Sequence, residues 1–130
     1  MLFRSDLARV EEYAPAVALR SARIHLGEQR YADAYRLFQT VYRDYPEHPL
    51  AEEALYSAFG TGQQAGDTAR AIAAGELYLR VYPGGRFWDE VTLALTTLRL
   101  EQEQWREAVA LAEKAIRVHP DHSQIGRAHV

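Results

Sequence analysis

The stretch YADAYRLFQTVYRDYP, residues 31–46, decides the fold. Its apolar residues Tyr31, Ala34, Tyr35, Leu37, Phe38, Val41 and Tyr42 recur three and four positions apart, the spacing of one helix face. A helix over about 31–45 follows, and Pro46 ends it, because the residue before a proline resists the helical region. The same landmarks then return along the chain. Tyr31, Thr68 and Trp105 share one phase; Ala34, Ala71 and Ala108 a second; Val41, Tyr78 and Ala115 a third; Pro46, Pro83 and Pro120 a fourth. Tyr45, Tyr82 and His119 directly precede the three prolines. Every interval is 37 residues. A fixed period of this size marks stacked units, each needing its neighbours to cover its apolar face.

Working outward, each period holds two helical segments. The first pair is expected over about 14–28 and 31–45, with Ala18, Leu19, Ala22 and Leu26 on the apolar stripe of the first segment. Pro15 fits there as a first-turn residue, where a missing N–H costs little. The next pairs span about 50–64 with 67–82, and 87–101 with 104–119. Gly66 suits a helix C-terminus and Asp67 a cap for the helix that follows. Helices of about 15 residues are roughly 22 Å long, and their short connections make consecutive helices antiparallel. The expected fold is therefore all-α, a right-handed solenoid of three stacked antiparallel hairpins. Its units are 14–48, 49–85 and 86–120. Residues 1–13 are read as an N-terminal extension or a truncated preceding helix. Residues 121–130 break the pattern; 125–130 resemble a translated sequencing adapter, so the tail is expected to be non-native.

Small residues at 34, 71 and 108 let the two helices of a hairpin approach closely. Four positions on, the side chain varies as Phe38, Gly75 and Ala112, and a close-packed interior demands compensation. The facing sites Ala22, Phe59 and Thr96 supply it: Phe59 fills the space that Gly75 leaves, and Ala22 makes room for Phe38. Gly60 and Gly62 each disfavour helix by up to about 1 kcal/mol relative to alanine. Close approach of a ligand backbone and early termination of the helix account for them equally well. Phe87 and Trp88, at a unit junction, read as a wedge between neighbouring units.

The spacings Tyr31-x2-Ala34-x3-Phe38-x7-Pro46 and Trp105-x2-Ala108-x3-Ala112-x7-Pro120 resemble the tetratricopeptide repeat. The middle unit departs from it at Thr68 and Gly75. The period is three residues longer than the usual 34. With Tyr45-Pro46 and Tyr82-Pro83, that length is similar to the bacterial envelope variety found in Tol-Pal accessory proteins and outer-membrane assembly lipoproteins. The resemblance implies a concave surface lined by the first helix of each pair. Its ligand-facing positions carry over to Leu19, Arg23 and Leu26 in unit one. In unit two they are Glu53, Tyr56, Gly60, Gln63 and Gln64, and in unit three Glu90, Leu93, Thr97 and Glu101. Such a mixture suits an extended peptide or a partner helix; an ordinary solvated helix face is the competing reading.

Composition narrows the function classes. The 130 residues carry a net charge of −3 with interspersed signs, and no basic stripe speaks for nucleic acid. No segment approaches the roughly 20 apolar residues of a membrane span. Cysteine is absent, which removes disulfide and thiolate chemistry. His119, Asp121 and His122 supply too few ligands for a metal site, with Pro120 breaking the helix that would align them. No catalytic motif or cofactor loop is present. The reading is a non-catalytic scaffold for a protein or peptide partner, with self-association through uncapped ends as a further possibility. The alternative is a docking segment of a longer enzyme or sensor. As written the chain reads as cytoplasmic, and as periplasmic if a secretory leader precedes it.

Overall fold

The computed structural model describes residues 4–120. Among them the regular structure is six helices: α1 (Arg4–Gly27), α2 (Tyr31–Asp44), α3 (Ala51–Ala65), α4 (Thr68–Val81), α5 (Trp88–Glu101) and α6 (Trp105–Val118). Each packs chiefly on its neighbours in the chain, α1 on α2, α2 on α3 and so on to α6. The result is a tetratricopeptide-like all-α repeat solenoid, a stack in which contacts pass from hairpin to hairpin. None of the described helices is long and apolar enough to cross a membrane.

The turns within the three hairpins share one backbone solution. Gln29, Gly66 and Glu103 occupy equivalent sites, all left-handed, with φ of 61°, 69° and 58°. The next N–H reaches back across five residues in each, Arg30 to His25, Asp67 to Gly62 and Gln104 to Arg99, at 2.8–2.9 Å. This is the Schellman closure, which satisfies carbonyls that the helix end leaves orphaned. Only the middle turn has suitable chemistry. Gly66 adopts φ > 0 without a Cβ penalty, and the Asp67 carboxylate accepts from the Arg70 N–H at 3.1 Å. Helices α2, α4 and α6 end on Tyr45, Tyr82 and His119, each just before proline and each bonded back to the fourth preceding carbonyl.

The core runs down the stack through Phe38, Val41, Leu55, Phe59, Tyr78, Val91 and Leu95. Each such side chain contributes about 1.5–3 kcal/mol relative to exposure. Ala34, Ala71 and Ala108 are buried as expected. So is the compensation at Gly75: a Cβ there would lie 2.9 Å from the Phe59 ring. Ala22 and Phe38 are both fully buried in the same core.

Three expectations need correction. Helix α1 begins at Arg4, so Pro15 lies mid-helix and fully buried rather than in a first turn. Its burial beside the α1–α2 core offsets the backbone hydrogen bond that proline forgoes. Helix α3 does not stop at Gly60 or Gly62 but continues to Ala65. Gly62 has a different cause: a Cβ would come within 2.7 Å of the Ala71 backbone nitrogen, where α4 crosses α3. Finally, Leu19, carried over as a ligand-facing residue, is 3% exposed in the core between α1 and α2. The expected non-native tail, 121–130, with Asp121 and His122, lies outside the described residues.

Candidate partner-binding groove

The first helices of the hairpins stand side by side on one face. Arg23 on α1 forms an ion pair with Glu53 on α3. Tyr56 on α3 donates its hydroxyl to Glu90 on α5 at 2.6 Å. Both pairs are substantially exposed, so each contributes little to stability; their effect is to fix the spacing of neighbouring helices.

Phe87 completes the arrangement. Its ring lies flat on Tyr56, with centroids 3.9 Å apart and planes 8° from parallel, and the Arg86 guanidinium sits 4.9 Å above its centre. Trp88 turns the other way, buried, with Nε1–H directed at the Leu79 carbonyl at 3.3 Å and its ring edge-on to His119. The pair therefore wedges the second and third units together, as the sequence suggested. Burial first, and the Glu90 carboxylate second, push the Tyr56 phenol up to about 12. It remains a neutral donor at ordinary pH.

Two adjoining depressions result. One, about 250 Å³, is bordered by Leu26, Tyr56, Gly60, Gln63 and Gln64. The other, about 500 Å³, lies where the α3–α4 turn meets α5, and includes Leu93, Thr97, Leu98 and Glu101. Gln63, Glu90 and Ala94 belong to both. The floor is apolar, through Leu26, Ala94, Leu93 and Leu98, and its polar atoms are the Gln63 and Gln64 amides and the Glu90 and Glu101 carboxylates. Thr97 offers no spare donor, since its hydroxyl returns to the Leu93 carbonyl at 3.0 Å.

The structure thus brings nine of the twelve expected residues to these two depressions: Leu26, Tyr56, Gly60, Gln63, Gln64, Glu90, Leu93, Thr97 and Glu101. Arg23 and Glu53 pair with one another on α1 and α3, and Leu19 is lost to the core. Ala94 and Leu98 were not anticipated as groove residues, nor Phe87 as the ring that stacks on Tyr56. Ala94 and Leu98 lie four and eight positions after Glu90, a helical spacing that would have found them. The stacking of Phe87 joins residues 31 positions apart and has no local signature.

Nothing among the described residues assembles a metal site: no group of three His, Cys, Asp or Glu side chains comes together. His119 instead meets the Pro83 carbonyl through Nε2 at 2.8 Å.

Residues 16–48 fit the family described as tetratricopeptide repeat, which is the first unit of the stack. No curated protein matches the chain. Repeats of this family generally mediate protein–protein interaction and are typically non-catalytic. The segment built from the second half of α1 and all of α2 thus matches a tetratricopeptide repeat, set in a six-helix solenoid of similar type.

Proposed function

We propose that this chain is a non-catalytic scaffold that holds an extended peptide or a partner helix in the groove along α3 and α5. One observation carries the reading: two adjoining depressions share Gln63, Glu90 and Ala94, making a continuous apolar floor edged by amides and carboxylates. A peptide lying there buries apolar side chains on Leu93, Ala94 and Leu98 while its backbone meets the amides. The carboxylates of Glu90 and Glu101 favour a basic residue at either end. The long repeat and the Tyr-Pro junctions further support a role of the bacterial envelope-assembly kind, alongside Tol-Pal accessory and outer-membrane assembly proteins.

The test begins with peptides selected from a random library for binding to the whole chain. Bound peptide is expected to shift amide resonances of Gly60, Gln63, Ala94 and Thr97. Leu93→Glu, at a half-exposed site, is expected to weaken binding at least tenfold, about 1.4 kcal/mol. Peptides whose shifts map to α2 or α6 instead, with Leu93→Glu without effect, would overturn the proposal.

A further inference from the structure

Granted the groove proposed above, on which this rests, we infer that its occupant is an extended peptide whose main chain passes over Gly60 and meets the side-chain amides of Gln63 and Gln64. Glycine inside a helix is disfavoured against alanine, so each one calls for a cause. Gly60, Gly62 and Gly75 all stand inside helices. Two of them are explained by packing. A Cβ at Gly62 would lie 2.7 Å from the Ala71 nitrogen, and one at Gly75 would lie 2.9 Å from the Phe59 ring. At Gly60 a Cβ would meet nothing within 4 Å. Helix α3 also runs on through Gly60 to Ala65, so termination of the helix does not account for it. What glycine does at an open position is leave the helix surface one methyl group lower, where another backbone can come close.

The place is a recess rather than a bare helix face. Gly60 borders the depression of about 250 Å³, together with Leu26 of α1 and Ala94 of α5. Tyr56 lies one turn before it, and Gln63 and Gln64 one turn after, on the same side of α3. The Tyr56 hydroxyl is already engaged by Glu90. The two glutamine side chains are exposed, and neither makes a hydrogen bond among the described residues. Each carries both donor and acceptor, the complement of a peptide unit. That chemistry selects between the two kinds of occupant. An extended main chain has N–H and C=O groups to exchange with an amide, whereas a helix satisfies its own internally.

The test uses the whole chain and the peptides selected from the random library. Gly60→Ala and Gly60→Leu are expected to raise the thermal midpoint, because the new side chain enters open space on a helix. Both should weaken peptide binding, Gly60→Leu by roughly tenfold or more. Opposite signs for stability and affinity are the signature, since a merely structural glycine would lose both together. If Gly60→Leu loses helicity by circular dichroism, Gly60→Ala decides alone. Replacing both Gln63 and Gln64 by Met keeps their length, removes the amides and should also weaken binding. Carbon chemical shifts of the bound peptide should be those of extended chain. Wild-type affinity in the Gly60 variant or in the double glutamine variant overturns the inference, and so do helical shifts in the bound peptide. Weakening by Leu93→Glu with wild-type affinity in Gly60→Leu overturns this inference and leaves the scaffold reading standing. Peptides that map to α2 or α6 overturn both.

Discussion

The hydroxyl of Tyr78 lies beneath Gly85, where a Cβ would come within 2.5 Å of it and 2.9 Å of the Tyr82 carbonyl. That hydroxyl donates to Glu52 at 2.8 Å and accepts from the Phe87 N–H at 2.8 Å. Glu52 also accepts from the Arg86 N–H at 2.7 Å. Gly85→Ala is therefore expected to destabilise by about 1–3 kcal/mol, the usual cost of overpacking. Tyr78→Phe strands the half-buried Phe87 donor and should cost a similar amount. Urea unfolding of both and of the double variant checks this: the two costs should fall short of additive, since removing the Tyr78 hydroxyl relieves the crowding that the new methyl group meets.

The three equivalent turns predict opposite responses to glycine chemistry. Gln29→Gly and Glu103→Gly remove a side chain from a left-handed site and should stabilise by up to about 1 kcal/mol, whereas Gly66→Ala should destabilise by about as much. Gln104→Asp copies the Asp67 cap and should add about 1 kcal/mol. Thermal midpoints of the four variants read the signs directly.

Gly75 is held open by Phe59. Gly75→Phe is expected to cost at least the 1–3 kcal/mol typical of overpacking, and pairing it with Phe59→Ala should recover much of the loss. Stability of the pair no better than that of Gly75→Phe alone would show that the two do not share one space.

Thr92 is 1% exposed and its hydroxyl has no hydrogen-bond partner among the described residues. Thr92→Val keeps the shape and removes the unmet polar group. A gain of about 1 kcal/mol is expected from denaturant titration.

Alkaline pH should loosen the molecule through its tyrosines. Burial, chiefly, holds Tyr42 and Tyr56 up to about 12 and raises Tyr78 further still. The folded state thus keeps protons that the unfolded chain gives up near its ordinary value of about 10. Stability from these groups is complete below pH 10 and declines as pH climbs from there toward 12. Phenolate absorbance followed with circular dichroism should show a late-ionising fraction that appears together with unfolding. Tyr56→Phe should shrink that fraction.

Much of this architecture is written locally. The prolines at 46, 83 and 120, the small residues at 34, 71 and 108, and the pair Gly66-Asp67 each act on their own few residues, so helix ends and hairpins could be read from them. Pro15 misled because a first-turn proline and a buried mid-helix proline look alike without knowledge of what packs around them. Leu19 misled for a different reason. A position borrowed from family resemblance outweighed the stripe Ala18, Leu19, Ala22 and Leu26, whose helical spacing already put Leu19 among the apolar residues. The groove was legible as a set of helices but not as contacts. Tyr56 with Glu90, Tyr56 with Phe87 and Tyr78 with Glu52 join residues 34, 31 and 26 positions apart. Only the stacking of one hairpin on the next brings them together.

The Glu52 carboxylate gathers α3, α4 and the loop leading into α5, whereas the corresponding positions on α1 and α5 are Pro15 and Asp89, opposite Val41 and Ala115 rather than a tyrosine. The junction of the second and third hairpins therefore turns on a single carboxylate, a tie that the equivalent positions of the other units have no side chains to make.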